Sequence, residues 1–319
     1  MKVKKKLHAY KRYLETREGE DFKEYTKANN QAKWACRVAV RDFEKEVAKQ
    51  CKSNPKVFYS YAKGKLKTRP YIPDLVKPSG DKTINDKEKA EVLNQFFSSV
   101  FTRENISNIP DFGPKEQQTP YQDLEITSTM VKKKLNKFKS NKTPGLDGIH
   151  VRVLKELEEE IAGPMADLMN KTLRKGELPQ DWKDALVSPI FKKGSKSSPG
   201  NYRPVSLTSV ICKITESIIR DHIMHHLVEN SFLSEYQHGF VEGKSCTTQL
   251  IECLDIWTKI LDRGGYLDVI YMDYAKAFDK VAHSRLIKKL EGYGISGPIL
   301  QWVRSFLSGR RQKVAVNGE

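Results

Sequence analysis

Strand-forming stretches are scarce in this 319-residue chain, and that scarcity limits the folds open to it. Two runs read as strands. ALVSPIF at residues 185–191 is followed by the polar loop KKGSKSSPGN, and Leu267, Val269, Ile270, Tyr271 and Met272 form a buried-strand pattern set off by Gly264 and Gly265. Elsewhere apolar residues recur three and four apart. Cys36, Val40, Phe43, Val47 and Cys51 mark a helix that Asn54-Pro55 breaks, and Ala90, Leu93, Phe97 and Val100 mark another with Asp86 as its cap. Thr127 or Ser128 caps a helix carrying Val131, Leu135 and Phe138, and Asp147 caps the next. Gly163-Pro164 predicts a break before a helix ending at Gly176. Two more are predicted at about 208–229 and from Ser245 to Arg263, the latter carrying Leu250, Leu254, Trp257 and Leu261. Many helices with few strands predict an α+β fold rather than a doubly wound sheet.

The length suggests about two domains. A stretch rich in Pro, Asn and Gln predicts a linker at 106–122, between a basic, mainly helical region at 1–105 and a second domain at 123–319. The formal net charge is +16, and residues 1–70 hold 20 Lys or Arg against 8 Asp or Glu. Such basicity fits a polyanionic partner, nucleic acid being the commonest, although a solvated helical face carries the same charge. Five cysteines, odd in number and without a Cys-x-x-Cys pair, suggest neither a disulfide framework nor a zinc ribbon and point to a reducing, intracellular compartment, cytoplasmic or nuclear. No apolar run approaches the ~18 residues of a membrane span. The opening MKVKKKLHAYKRY lacks the apolar core of a signal peptide, and its lysines suit nuclear import or nucleic acid.

Gly239 to Ser245 approaches a phosphate-binding loop but is one residue short, and Ser245 reads better as a helix cap. His222, His225 and His226 lie on one predicted helix. Ile223 stands where a zinc protease helix needs glutamate, so a surface or half-buried helix face is the better reading. Asp273 sits at the end of the second strand-like run. A carboxylate there, with the backbone carbonyl of Tyr274, can supply oxygen ligands to Mg²⁺. Nucleotidyl transfer uses two such ions about 4 Å apart, so a second strand must bring another carboxylate.

Tyr271-Met-Asp273-Tyr274-Ala-Lys-Ala-Phe278-Asp-Lys-Val281 closely resembles the first catalytic motif of reverse transcriptases from non-long-terminal-repeat, LINE-type retrotransposons. Other motifs occur in that family's order: Lys142-Thr-Pro144-Gly145-Leu-Asp-Gly148, Leu178-Pro-Gln-Asp-Trp182, Ile190-Phe-Lys-Lys-Gly194, Asn201-Tyr-Arg203-Pro-Val-Ser-Leu207 with Lys213, Gln237-His-Gly239-Phe240, and the stretches Trp302–Leu307 and Gln312–Gly318. The resemblance runs from about residue 85 onward. It implies right-hand polymerase fingers and a partial palm, with RNA template, DNA primer and deoxynucleoside triphosphates as partners and Mg²⁺ as cofactor. Asp273 is then the first metal ligand and Tyr274 supplies its carbonyl. Phe278 excludes a 2′-hydroxyl, Arg203 and Lys213 neutralise the triphosphate, and Pro144, Gly145, Gly148, Gln237, Gly239 and Phe240 line the template path. The family's Pro-Gln-Gly-Ser and Ala-Asp-Asp motifs do not occur among these residues. The expectation is therefore a fragment of an RNA-directed DNA polymerase that is inactive alone, with a non-enzymatic nucleic-acid-binding remnant as the alternative.

Overall fold

The computed structural model describes residues 2–65, 71–140 and 142–317, and it divides into two units, Met1–Tyr71 and Ile72–Glu319. Lys67 and Arg69 of the basic span and Gly318 of the last motif lie outside the described residues. The first unit is helical. Helix α1 (Lys2–Thr16) turns back at Arg17, whose φ of 54° reverses the chain, into α2 (Gly19–Gln50). The hairpin closes on Tyr10 against Tyr25 and Tyr13 against Phe22, with ring centroids 5.1 and 5.2 Å apart. At its tip the Thr16 hydroxyl donates to Asp21, which also pairs with Arg12 at 3.1 Å and meets the positive end of the α2 dipole. Pro55 opens α3 (Pro55–Lys65), as the Asn54-Pro55 break predicts. Of the predicted stripe on α2, Val47 is buried while Val40 and Phe43 are exposed. Within this unit Tyr61 of α3 meets Phe43 on that face, with ring centroids 5.9 Å apart.

The second unit mixes helices with one small sheet. Helix α4 (Asp86–Ser99) is capped by Asn85, one residue earlier than predicted, whose side chain accepts from Glu88 N at 2.8 Å. Helix α5 (Ser128–Lys137) starts behind Thr127 as expected. Helices α6 (Val151–Glu156) and α7 (Glu158–Lys175) follow, and His150 rather than Asp147 caps α6. Pro164 does not interrupt α7. Ala162, Met165, Ala166 and Met169 are buried around it, and that burial outweighs the loss of about one helical hydrogen bond. Gly176, at φ 63°, ends the helix where predicted.

A short helix, α8 (Gln180–Lys183), leads into β1 (Asp184–Phe191), which pairs antiparallel with β2 (Tyr202–Leu207). Helices α9 (Val210–Glu229), α10 (Cys246–Asp262), α11 (His283–Gly292) and α12 (Gly297–Leu307) precede β3 (Arg311–Val314), which returns parallel to β1. The order is β2-β1-β3. Sequence periodicity missed β2 because Pro204 interrupts it. The structure tolerates proline here: Pro204 lies on an edge strand, and its partner Pro189 lies beyond the stretch Asp184–Val187 that β3 covers.

The expected strand at 267–272 does not form. These residues belong to no strand, and Ile270 and Met272 are 85% and 86% exposed. A strand needs a neighbour for its N–H and C=O groups, and the run pairs with neither open edge of the sheet, that of β2 or that of β3. The apolar run is left outside the sheet and exposed. Helix α10 shares this exposure: it forms as predicted, yet none of its residues is buried.

Two apolar cores hold the unit. In one, Leu75, Leu93 and Phe97 cover Val187, Tyr202, Val314 and Val316 on one face of the sheet. In the other, Val131, Leu135, Met169, Ile214, Ile218 and Trp302 interlock α5, α7, α9 and α12. The predicted linker at 106–122 lies in this second unit and is tied to it by hydrogen bonds. Lys115 N donates to Gly292 O at 2.7 Å. Asn230 accepts from Thr119 N at 3.0 Å and donates back to Thr119 O at 3.1 Å. His222 and His226 hold backbone carbonyls of Gln122 and Tyr293 through Nε2 at 2.7 and 2.8 Å, so the histidine cluster serves packing.

Lys89 is 2% exposed and places its ammonium 2.9 Å from Asp86 and 3.2 Å from Asp74. Asn317 donates to the same Asp86 carboxylate at 2.9 Å and accepts from Ile72 N, tying both ends of the unit together. The hydrogen bonds from Lys89 and Asn317 hold the Asp86 carboxyl below its ordinary pKa. A carboxyl depressed in the folded state contributes stability above its unfolded pKa and loses it as pH falls through the folded one. Asp86→Asn should therefore lower the urea midpoint clearly at pH 7, with the two curves converging below about pH 4. Urea titrations at pH 7, 5 and 3 measure this, and a gap independent of pH would refute it.

Candidate nucleotide and template site

The structure brings several of the site residues singled out by sequence into two groups and places Arg203, Asp273 and Tyr274 on exposed positions of their own segments. The first surrounds the start of α9. Gly148 N donates to Gly145 O at 3.2 Å, closing the Lys142–Gly148 turn, and Gly148 adopts φ 67°. Gly145 lies on the junction between β2 and α9 so closely that a Cβ there would come within 2.6 Å of the Thr208 carbonyl. Only glycine permits that approach. Lys213 stands one turn into α9, its N–H donating to Ser209 O. Burial, the leading cause, draws its ammonium below the ordinary pKa; Glu216 and Cys212 oppose this, Lys142 adds to it and Asp147 opposes it. The turn and the lysine both meet Ser209, Gly145 through its close approach and Lys213 through its N–H. A half-buried cation acts on an approaching phosphate through a lower dielectric than a surface lysine does.

Arg203 lies on β2 opposite Ile190 and is exposed. The preceding residue, Tyr202, is buried in the core over the sheet, so strand alternation turns Arg203 to the other face. Its guanidinium is available there to a planar anion.

The second group lies in two loops. Gln237 donates to Gly239 O at 3.2 Å, and Phe240 follows with φ 62° and 86% exposure. Phe278, 78% exposed, meets Phe240 edge to face, with ring centroids 5.8 Å apart and planes at 87°. Two positions from motifs 38 residues apart in sequence thus touch. Sequence reasoning missed what supports this loop. His238 is buried, with Nδ1 at 3.0 Å from Thr248 Oγ1 and Nε2 at 2.6 Å from Glu252. Thr248 and Glu252 are four apart on a predicted helix, and that spacing was the available signal. Ser245 caps α10 in a reciprocal capping box with Thr248, which settles Gly239–Ser245 as a capped loop.

Asp273 and Tyr274 sit in the exposed stretch that forms no strand. Among the described residues no three His, Cys, Asp or Glu side chains gather to hold a metal. The Asp273 carboxylate and Tyr274 carbonyl suit Mg²⁺ in kind, but two oxygens are fewer than its octahedral shell requires. Water and a further carboxylate would have to complete the set.

The sequence profile described as "Reverse transcriptase (RNA-dependent DNA polymerase)" matches residues 190–319. The chain is 28% identical over 259 residues to the "Probable RNA-directed DNA polymerase from transposon BS" of Drosophila melanogaster, covering 79% of this chain and 28% of that protein. It is 27% identical over 251 residues to the "RNA-directed DNA polymerase from mobile element jockey" of Drosophila funebris, covering 76% and 27%. It is 26% identical over 269 residues to the "Retrovirus-related Pol polyprotein from type-1 retrotransposable element R1" of Bradysia coprophila, covering 80% and 25%. The chain spans about a quarter of the length of these relatives. Residues 190–319 thus match a reverse transcriptase profile, and over most of its length the chain is similar to RNA-directed DNA polymerases of transposons and mobile elements.

The two glycines of the turn should respond differently to alanine. Gly148→Ala meets open space and loses only the left-handed backbone preference, about 1–2 kcal/mol. Gly145→Ala forces a backbone contact apart, which costs about 1–3 kcal/mol and displaces the turn from Lys213. Urea unfolding gives both costs, and phosphate-analogue binding should weaken more for Gly145→Ala. Equal, negligible effects would contradict the close approach.

Proposed function

We propose that residues 72–319 form the fingers and the first part of the palm of an RNA-directed DNA polymerase of the LINE type. The observation that carries this reading is the convergence of separate motifs: Gly145 of the Pro144–Gly148 turn lies on Thr208 and Ser209 at the head of the helix that carries Lys213, and Phe240 lies against Phe278. In this reading Arg203 and Lys213 receive the triphosphate, the guanidinium offering paired donors to phosphate oxygens. Phe278 places a flat apolar edge where a ribose 2′-hydroxyl would sit. Pro144, Gly145, Gly148, Gln237, Gly239 and Phe240 line the template. Asp273, with the Tyr274 carbonyl, contributes oxygens to Mg²⁺, which when bound stabilises charge on the attacking and leaving oxygens. RNA template, DNA primer and deoxynucleoside triphosphates are the proposed partners. An intracellular site fits five cysteines that are all unpaired, and no described helix is long and apolar enough to cross a membrane.

The 319 residues by themselves should extend nothing above background on a primed RNA template with Mg²⁺ and deoxynucleotides, because among the described residues Asp273 belongs to no cluster of three metal-ligating side chains. Fusing the following palm and thumb of an active relative after Glu319 should bring polymerisation. In that fusion Asp273→Asn should cost at least about a hundredfold in rate. Phe278→Ala should keep deoxynucleotide synthesis and raise ribonucleotide incorporation, and Arg203→Ala should raise the nucleotide KM about tenfold. An active fusion indifferent to Asp273→Asn would sink the assignment.

The excess of positive charge in residues 1–70 supports a second contribution, sequence-tolerant binding of nucleic acid by the helical unit. Affinity for an RNA oligonucleotide should fall steeply with salt as counterions are released, and deleting residues 1–70 should weaken it and flatten the slope. Unchanged affinity after the deletion would make these helices a solvated face and nothing more.

A further inference from the structure

The stretch that carries Asp273 joins no sheet, yet its downstream end is held. Lys276, at φ 54°, places Nζ 4.1 Å from the centre of the Phe96 ring at the end of α4. Thr102 donates its hydroxyl proton to the Lys280 carbonyl at 3.0 Å. Glu104 accepts from the backbone N–H groups of Ser284 at 2.9 Å and Arg285 at 3.1 Å, one on each carboxylate oxygen. These contacts join residues about 180 apart in sequence, and they bracket Phe278 and Asp279.

The Glu104 contact replaces a missing local one. Helix α11 starts behind Ala282, which has no side chain to cap it, and its first turn carries no acidic residue. The second and third N–H groups of a helix have no acceptor within it. In α11 those groups belong to Ser284 and Arg285, and a carboxylate from the strap of chain that follows α4 takes both. Glu104 is 13% exposed. Burial raises its carboxyl pKa, but the Ser284 and Arg285 donors outweigh burial and hold it below the ordinary value. Arg285 adds a guanidinium bond to Asn108 O at 3.1 Å, fastening the strap a second time.

We propose that Phe96, Thr102 and Glu104 are positioning residues that anchor the Lys276–Arg285 turn and so hold Phe278 against Phe240. All three precede residue 190, outside the matched reverse transcriptase segment. The anchoring stands on the contacts alone, whereas its bearing on nucleotide choice rests on the function proposed above.

Amide exchange in the 319-residue protein tests the anchoring directly. Protection at Ser284 and Arg285 comes from Glu104 and not from the helix, so Glu104→Ala should speed exchange there about tenfold or more. Core amides of α9 should stay unchanged. Thr102→Val should loosen Lys280–Ser284 to a smaller degree. Should Glu104→Ala fail to fold, Glu104→Gln keeps the shape and one acceptor and should give intermediate exchange. Wild-type exchange at both amides in a folded Glu104 variant would overturn the anchoring. In the palm-extended fusion, Glu104→Ala should raise the ratio of ribo- to deoxynucleotide incorporation several-fold, with Glu104→Gln restoring much of it. A merely structural loss would lower both rates and leave that ratio alone. If Phe278→Ala shifts the ratio and Glu104→Ala does not, the positioning role is overturned. If Phe278→Ala does not shift it, the proposed function fails while the exchange result still judges the anchor.

Discussion

Burial of helix α9 is the constraint on which the second unit depends. Val210, Cys212, Ile214, Ile218 and Ile219 face the core, and Ile214 and Ile218 are closed off from water. Each such isoleucine contributes about 1.5–3 kcal/mol on leaving water. Helix α5 packs beside it, Trp302 of α12 joins the same cluster, and Trp302 is itself oriented by a bond from Nε1 to the Thr172 hydroxyl at 3.2 Å. A helix held so firmly has little freedom at its start. Lys213 and the turn seated on Thr208 therefore inherit their positions from apolar packing several residues away.

Where apolar packing ends, polar groups complete the fold, and they do so by satisfying backbone atoms that have no local partner. Asn170 both donates to and accepts from Ile126 at 2.8 Å, reproducing a strand's pairing with a side chain. Asn230 does the same for Thr119, and Glu104 does it for the open end of α11. These bonds turn a stretch rich in proline and asparagine into a strap. An exposed linker would meet the same demands with water, and here the neighbouring helices meet them first.

Legibility in the sequence differed by residue. Ser245, Thr127 and Gly176 were readable because capping is local chemistry, decided within a few residues. Helix α7 ran through Pro164 because its apolar face found a core, which periodicity alone could not weigh against proline. The Asp273 stretch misled in the opposite direction. Its composition is that of a buried strand, but a strand exists only beside another, and no pattern in residues 267–272 says whether a neighbour is present. Glu104 was invisible for a related reason: it acts on backbone atoms about 180 residues away, a distance that no spacing rule encodes.

The sequence by itself determined most of the helices, the caps at Thr127, Gly176 and Ser245, the uneven charge and the likeness of residues 190–319 to a reverse transcriptase profile. Tertiary structure alone decided that Gly145 would lie on Thr208, that Phe240 would meet Phe278, and that the strand-like run would remain outside the sheet. The division follows from range. Helix periodicity, capping and charge are properties of neighbouring residues, whereas close approach and backbone pairing depend on which distant groups the packed chain brings within a few ångströms.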